Sequence, residues 1–541
     1  MTENSLPKYV RDKIKLADKG DLFSCYTVGN YYIDEKTLDV DTDKSNQYFS
    51  KVADELHDAN FKVKKVTVFD FKRFKRASIN FPKNGTTVII GNNGAGKSTI
   101  LEAIAKNLQF LSDNIRVKSN SNYKFHESEI NIDSTNGYSV VECDLEVNNK
   151  HLFSCSLAKN FESTPRKTSS ELEQFKALGG MLQEADKLRG DDFPYPLFAY
   201  YPVERSITIK RDEVAKKQEK KQWKDVLNKI EGHNKPFDGT SNFDSFFGWF
   251  KEVDDIVNEY KAKNSLTPAE IADAISKMGP EENLSEVLTA LRPKEKPVDE
   301  KHKAILTTHL NTVKGAIKTF LSDIENITIS RTPHLDMYVE KKGKRLSVFN
   351  LSQGEKTLLA LVSDIARRLV TLNPNSQDPL HGKGVVIIDE LDLHLHPQWQ
   401  QTVIQNLETT FPKIQFIVST HSPLILTTVT SKQIKILDSD NSDTDLPMPD
   451  INPLGKASSE ALAIMNTPEK PKLDYNISDN LNAYEELVKA GKEKAPVTLK
   501  LKEKIEQEGY TIDESQMELW RFIASNAGIF KNSSKLTEED K

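Results

Sequence analysis

Two short stretches hold the residue types of phosphate chemistry at the spacing that chemistry needs: GNNGAGKS, Gly91 to Ser98, and VVIIDE, Val385 to Glu390. The first matches GxxxxGK[ST] without a gap, follows the apolar run TVII and precedes a helical pattern, the context in which such a loop binds phosphate. Gly91, Gly94 and Gly96 let the backbone curl, so that successive N–H groups through Asn92, Asn93, Ala95 and on to Thr99 face a phosphate chain. A helix beginning near Lys97 adds its positive dipole end. Lys97 would neutralise terminal phosphates, and Ser98 would offer its hydroxyl to magnesium. An incidental glycine turn is the bland reading, and the register of strand, loop and helix speaks against it. In the second stretch, four aliphatics end in two carboxylates. Asp389 is expected to hold magnesium at a strand tip, and Glu390, one residue on, to act as general base on an attacking water.

Three further stretches bear on the same chemistry. In LDLHLHPQWQ, Asp392, His394 and His396 alternate; HxH spacing invites a metal reading, but without a cysteine or third histidine nearby, an intersubunit loop led by Asp392 is the better expectation. His421 in STHSP follows an apolar strand and emerges on the same sheet edge, in reach of a terminal phosphate; alone, it would read as a structural histidine. In LSQGEK, a serine hydroxyl and glycine N–H groups open the helix LSQGEKTLLALVSDIARRL and form a second anion cradle. Ser352 with Glu355 three residues later is also a capping box, and the two readings hold together. A second cradle is redundant unless a second surface clamps the same triphosphate.

The elements that must position these residues follow from periodicity. Alternation in KVTVFDF and ASINF, and the continuous runs TVII, GVVIIDEL and IQFIVSTHSP, predict strands, the last three of the buried parallel type. SVVECDLEV and LFSCSLA predict a hairpin, and PYPLFAYYPVERS a buried strand and its exit. We expect a helical tetratricopeptide-like extension over 1–58, with Gly29 where two helices press together, and an ATPase N-lobe over 59–170. A mainly helical insertion over 171–325, a C-lobe over 326–435 and a helical partner-binding tail over 436–541 complete the division. A single repeat cannot bury its own face, so the extension must dock on something, and a helical cap on the next domain is the favoured reading. Past Thr430 the periodicity fades into polar loop.

Composition narrows the function classes. The 541 residues include 74 basic and 80 acidic side chains, and a net charge of -6 gives no bulk attraction to phosphate backbones or anionic lipid. Any nucleic-acid contact is local; KVKKV with KRFKR, and KRDEVAKKQEKKQWK, are basic stretches that read first as solvated faces. Cys25, Cys143 and Cys155 form no CxxC pair, which fits a reducing cytoplasm. Neither a signal core nor a run of ~18 apolar residues is present, so no membrane span is expected.

The order of phosphate loop, LSQGEK, VVIIDE, aspartate loop and histidine strand resembles the ABC-type ATPase head of the RecF/SMC branch, over about Phe61 to Asn107 and Val348 to Thr430. The resemblance implies an α/β fold with a helical insertion and ATP with magnesium as ligands. It also implies a homodimer of heads in which Ser352, Gln353, Gly354 and Glu355 of one copy close on the nucleotide of the other. It places Lys72 and Arg73 of FDFKRFKRASINF near the nucleotide base and first phosphate. One departure is that no glutamine loop lies between Ser112 and Asp144, where His126, Glu129 or Asn131 would have to substitute. Within the branch, DELDLHLHPQWQ, THSP and a medium-sized helical insertion are similar to the antiphage and overcoming-lysogenization-defect groups. The second of these would continue into a Toprim nuclease, and ILDSDNSDTD, without a preceding glutamate strand, reads as a solvated turn instead. The remaining tail and the N-terminal helices resemble PtuA-type ATPases of Septu antiphage systems, in the form found beside retrons. That family implies an HNH nuclease partner and, beside a retron, a reverse transcriptase with its msDNA and noncoding RNA. The alternatives are a RecF-like repair ATPase acting directly on DNA, an overcoming-lysogenization-defect ATPase without its nuclease domain, a transporter ATPase, or an ATP-binding scaffold.

Overall fold

Strands buried on both faces are built from continuous apolar runs, and the central sheet is made of such runs. In chain order the strands are β1 Phe61–Phe71, β2 Phe74–Asn80, β3 Thr87–Gly91, β4 Tyr138–Val147, β5 His151–Asn160, β6 Leu197–Tyr201, β7 Ile324–Ser330, β8 Asp336–Lys341, β9 Lys344–Ser347, β10 Gly384–Ile388, β11 Ile414–Ser419 and β12 Ile434–Leu437. Every residue of β6, β10 and β11 is buried. These three pair in parallel with β3 and β12 in the order β12-β3-β11-β10-β6. Parallel pairing brings all five C-terminal ends to one edge, where Gly91, Ile388 and Ser419 open into the loops that carry the candidate chemistry. An antiparallel sheet, β2-β1-β4-β5, and a small three-stranded sheet, β7-β8-β9, complete the β structure. The α/β class expected from the motifs is the class observed.

The structure is a computed structural model that describes residues 6–116, 125–162, 168–203, 226–237, 242–263, 297–437, 446–465 and 475–526, with a few isolated positions between them. The basic stretch KRDEVAKKQEKKQWK and the DSD of ILDSDNSDTD lie outside the described residues.

Sequence reading missed β12. Its four residues, IKIL, were expected as polar loop, but they pair with β3 from Val88 to Gly91 and bury Lys435. A strand so short, with a lysine inside it, carries no periodicity to read.

The N-terminal helices α1 Lys8–Asp18, α2 Leu22–Tyr31 and α3 Thr42–His57 start at aspartate caps in two cases: Asp21 accepts from the Ser24 N–H at 2.8 Å, and Asp41 from the Lys44 N–H at 3.0 Å. Gly29 lies where α2 meets α3, and a Cβ there would be 2.5 Å from Phe49 Cε1. The hairpin does not stand alone. α3 packs along the helix α5, Glu173–Arg189, with Asp54 paired to Arg189 and Tyr26 seated against Gly180. The helix α4, Lys97–Arg116, runs from the phosphate loop and packs against α5 and against β6 and β4.

The chain forms two compact units, residues 1–465 and 466–541. The second, in its described residues, is three helices, Tyr475–Lys489, Pro496–Gln507 and Glu514–Ser525, around Tyr484, Val488, Ile505, Met517 and Trp520. No helix among the described residues is long and apolar enough to cross a membrane.

Candidate active site

The loop between β3 and α4 is held open by three glycines at positive φ: Gly91 at 155°, Gly94 at 74° and Gly96 at 101°. Two of them also permit close neighbours. A Cβ at Gly91 would sit 2.2 Å from the Leu437 carbonyl oxygen, and one at Gly96 would sit 2.5 Å from Phe74 Cζ. The Ala95 N–H closes the turn on the Asn92 carbonyl at 3.0 Å, while Asn92, Asn93 and Gly94 are exposed at its rim. The first-turn N–H groups of Lys97, Ser98 and Thr99 have no helical partner by the geometry of any helix start, which leaves them for an anion.

The Lys97 side chain is buried and folds back over the loop, its ammonium donating to the Gly91 carbonyl at 2.9 Å and the Asn92 carbonyl at 3.3 Å. Burial lowers its pKa, and the fields of Asp389, Glu390 and Asp392 work in the opposite direction. Three carboxylates and one buried cation therefore share this mouth, an arrangement suited to a polyanion with a divalent cation. The donor set, a helix-start hydroxyl at Ser98 and a buried carboxylate at Asp389, fits magnesium.

The carboxylates are set by β11, which lies between β3 and β10. Ser419 Oγ bonds Asp389 Oδ1 and accepts the Glu390 N–H at 2.8 Å. Its carbonyl accepts the Leu391 N–H at 2.9 Å. Glu390 itself has a left-handed backbone, φ 45°. One residue on, Thr420 Oγ1 donates to Asp392 Oδ1 at 2.6 Å, and the His421 N–H reaches the same oxygen at 3.2 Å. His421 is half-buried on this edge.

A second group forms at the start of the helix Gln353–Leu372. Ser352 caps it, accepting from the Glu355 N–H at 3.4 Å, while Glu355 Oε2 takes the Ser352 N–H at 2.9 Å and its hydroxyl at 2.7 Å. Burial of Glu355 opposes its charge, but the Lys341 ammonium and the Ser352 bonds hold its carboxyl below the usual range. Gly354 lies against the aspartate loop of the same chain, where a Cβ would come 2.4 Å from the His394 carbonyl oxygen. His396 Nδ1 accepts the Gln398 N–H at 3.4 Å and so caps the short helix Pro397–Gln400. Gly354 and Glu355 are buried, whereas Ser352 and Gln353 are exposed. Among the described residues no hydrogen bond joins Ser352, Gln353, Gly354 or Glu355 to Gly91–Thr99.

Lys72 and Arg73 part company. Lys72, at φ 49°, pairs its ammonium with Glu102 on α4, whereas the Arg73 stem lies beside the phosphate loop, its Cδ 2.8 Å from where a Gly96 Cβ would be. The segment weighed for the missing glutamine loop is bonded to that turn. The Glu129 carbonyl accepts the Lys72 N–H at 2.7 Å, and Asn131 Nδ2 donates to the Lys72 carbonyl at 2.7 Å.

Sequence reasoning overlooked two groups of residues. The hydroxyls of Ser419 and Thr420 stand in the quoted STHSP, where a strand tip adjoining the DE strand is the available signal. Behind the site lies a buried charge network. Tyr201 at the end of β6 accepts the Asp389 N–H on its carbonyl at 2.9 Å, and its hydroxyl donates to Asp364 Oδ2 at 2.9 Å. Asp364 also receives Arg367 at 3.1 and 2.6 Å and Arg368 at 2.8 Å, while Arg368 reaches the carbonyls of Gly232 at 2.8 Å and Asn234 at 3.0 Å.

The family model described as "AAA domain, putative AbiEii toxin, Type IV TA system" matches residues 86–427. The chain is 51% identical over 499 residues to "Retron Vc95 probable ATPase" of Vibrio cholerae serotype O1 biovar El Tor, covering 92% of this chain and 97% of that protein. It is 34% identical over 128 residues to "Septu protein PtuA" of Bacillus mycoides (strain KBAB4), covering 24% of this chain and 17% of that protein. Among solved structures, the SMC head domain from Thermotoga maritima aligns with a TM-score of 0.35 and 16% identity, over 72% of this chain and 100% of that one. The resemblance to retron and Septu ATPases drawn from the motifs therefore holds. With its phosphate loop, paired carboxylates and near full-length relative, the chain belongs to the family of retron-associated ATPases that carry this AAA domain.

Proposed function

We propose that two copies of this protein clamp ATP between them, Gly91–Thr99 of one and Ser352–Glu355 of the other, and that hydrolysis governs a defence complex. The observation that carries the reading is the exposure of Ser352 and Gln353 at a capped helix start, apart from the phosphate loop of their own chain. Helix N-termini bind anions, and the first two residues of this one are exposed.

The loop N–H groups and Lys97 bind the phosphates. Ser98 and Asp389 would hold magnesium, whose charge offsets that developing on the phosphate oxygens. Glu390 accepts a proton from the attacking water, Arg73 lies toward the nucleotide, and His421 and Asp392 border the terminal phosphate. By analogy with the relatives named for retron and Septu systems, the output is control of an HNH nuclease subunit, together with a reverse transcriptase and its msDNA.

Complementation tests the clamp. Lys97→Ala and Ser352→Arg should each abolish most ATP hydrolysis, and mixing the two variants should restore part of it, because a mixed dimer contains one intact composite pocket. No restoration on mixing would mean that each pocket belongs to one copy. Glu390→Gln should lower turnover by about 10²–10⁴-fold while ATP-dependent pairing, read by light scattering, persists.

A further inference from the structure

The fold gives Ser419 more to do than fill the end of a strand. It is fully buried, 0% exposed, at the C-terminal tip of β11 between the strand of the phosphate loop and the strand of the two carboxylates. Its bonds reach three successive residues: the side chain of Asp389, the N–H of Glu390 and the N–H of Leu391. A serine hydroxyl has one proton to give. Oγ gives that proton to Asp389 Oδ1 and takes the Glu390 N–H on a lone pair, so one hydroxyl serves both residues.

The backbone gives the second half of the argument. Glu390 sits at φ 45°, a region unfavourable to a residue with a side chain and kept only where surrounding bonds enforce it. In a regular parallel ladder the 390 N–H would meet a main-chain carbonyl. Here it meets a side-chain oxygen instead, and the Ser419 carbonyl is taken by residue 391. The left-handed turn at Glu390 is thus braced by the Ser419 hydroxyl oxygen. Thr420, the neighbouring hydroxyl, serves Asp392.

We propose that Ser419 is a positioning residue for ATP hydrolysis: it orients the Asp389 carboxylate and holds the turn that presents Glu390 to the attacking water. The proposal rests on the reading of Asp389 and Glu390 given above, and the test separates the two.

In the full-length protein, Ser419→Ala, Ser419→Thr and Ser419→Cys are compared with wild type for kcat, KM for ATP, the free Mg²⁺ giving half-maximal rate, and thermal midpoint. Removing a group that orients a metal-binding carboxylate costs about 10–100-fold in activity or metal affinity. Ser419→Ala should therefore lose kcat by that factor with KM changed less than about threefold, and need several-fold more Mg²⁺. Ser419→Thr, which keeps the hydroxyl, should recover most of both. Ser419→Cys, nearly the size of serine but a weak donor, should behave like alanine if alanine itself proves too unstable to assay. A Ser419→Ala or Ser419→Cys enzyme with wild-type kcat and Mg²⁺ requirement overturns the proposal, as does a threonine variant as impaired as alanine. Asp389→Asn and Glu390→Gln are run beside them. If these stay active, the reading of the carboxylates fails; if they are dead while Ser419→Ala is normal, only the positioning role fails.

Discussion

Replacing Asp364 by asparagine should be among the most destabilising single changes in the molecule that leave its shape nearly constant. The carboxylate is fully buried and accepts the Tyr201 hydroxyl, two bonds from Arg367 and one from Arg368. Burial alone would push its pKa up, but the two guanidiniums hold it below the ordinary carboxylate range, so it is ionised throughout the neutral range. Asparagine keeps one acceptor oxygen and turns an N–H₂ toward a guanidinium that can only donate. Two cations, both under one-tenth exposed, are then left without a counter-charge. Breaking a buried ion pair from one side costs about 3–5 kcal/mol. Urea denaturation followed by intrinsic fluorescence, urea being uncharged, should show the midpoint of Asp364→Asn lowered by the equivalent of that amount at unchanged slope. The triple change Asp364→Leu, Arg367→Met, Arg368→Met should cost less than the single one, since it removes the desolvated charges together. A loss under about 1 kcal/mol for Asp364→Asn would refute the reasoning, because it would mean that water reaches the arginines.

Other outcomes follow from the same geometry. Gly354→Ala must push the helix start off the His394 carbonyl, and a displacement near 1 Å at a reacting group costs up to about 100-fold; steady-state turnover should drop by tenfold or more with nucleotide affinity little changed, and wild-type turnover would show the contact to be dispensable. Stability should fall on mild acidification. His233, pushed down to about 3 by burial with Arg368 and Arg116 nearby, and His309, pushed down to about 4 by burial against the partial support of the Pro374 carbonyl, stay neutral when folded. The unfolded chain protonates both below about 6.5, so their contribution is intact above that pH and is lost toward pH 4, at up to about 2.7 kcal/mol per unit for the pair. Urea midpoints at pH 7.5, 6 and 5 measure the slope, and His309→Asn should reduce it. Lys97→Met should abolish binding of a fluorescent ATP analogue measured by anisotropy, while leaving the thermal midpoint within a few degrees.

Much of the site could be read from sequence because its strands are buried on both faces. TVII, GVVII and IQFIVS are continuous apolar runs, and each ends at a motif, so buried strands of the parallel type were expected there. The remainder resisted for identifiable reasons. β12 is four residues with a lysine. Asp364, Arg367 and Arg368 have i, i+3 and i, i+4 spacing, which on most helices marks a solvated face; only tertiary packing shows that this helix is enclosed and that its charges serve Tyr201. Ser419 has no spacing signature, since a lone serine at a strand end is ordinary and its role depends on a left-handed residue in the neighbouring strand. Lys72 and Arg73 are adjacent in sequence, yet a positive φ at Lys72 sends one toward α4 and leaves the other by the loop.

The pairing of β12 with β3 has a mechanical implication. Because β12 is parallel, it ends at the nucleotide edge, and the Leu437 carbonyl presses on Gly91 so closely that only a residue without a side chain fits. Leu446 and Pro447 then lie back along the sheets, bonded to Ser78 and Ile436. The end of β12 thus stands against the first residue of the phosphate loop, so that Gly91 cannot shift toward it without displacing the Leu437 carbonyl.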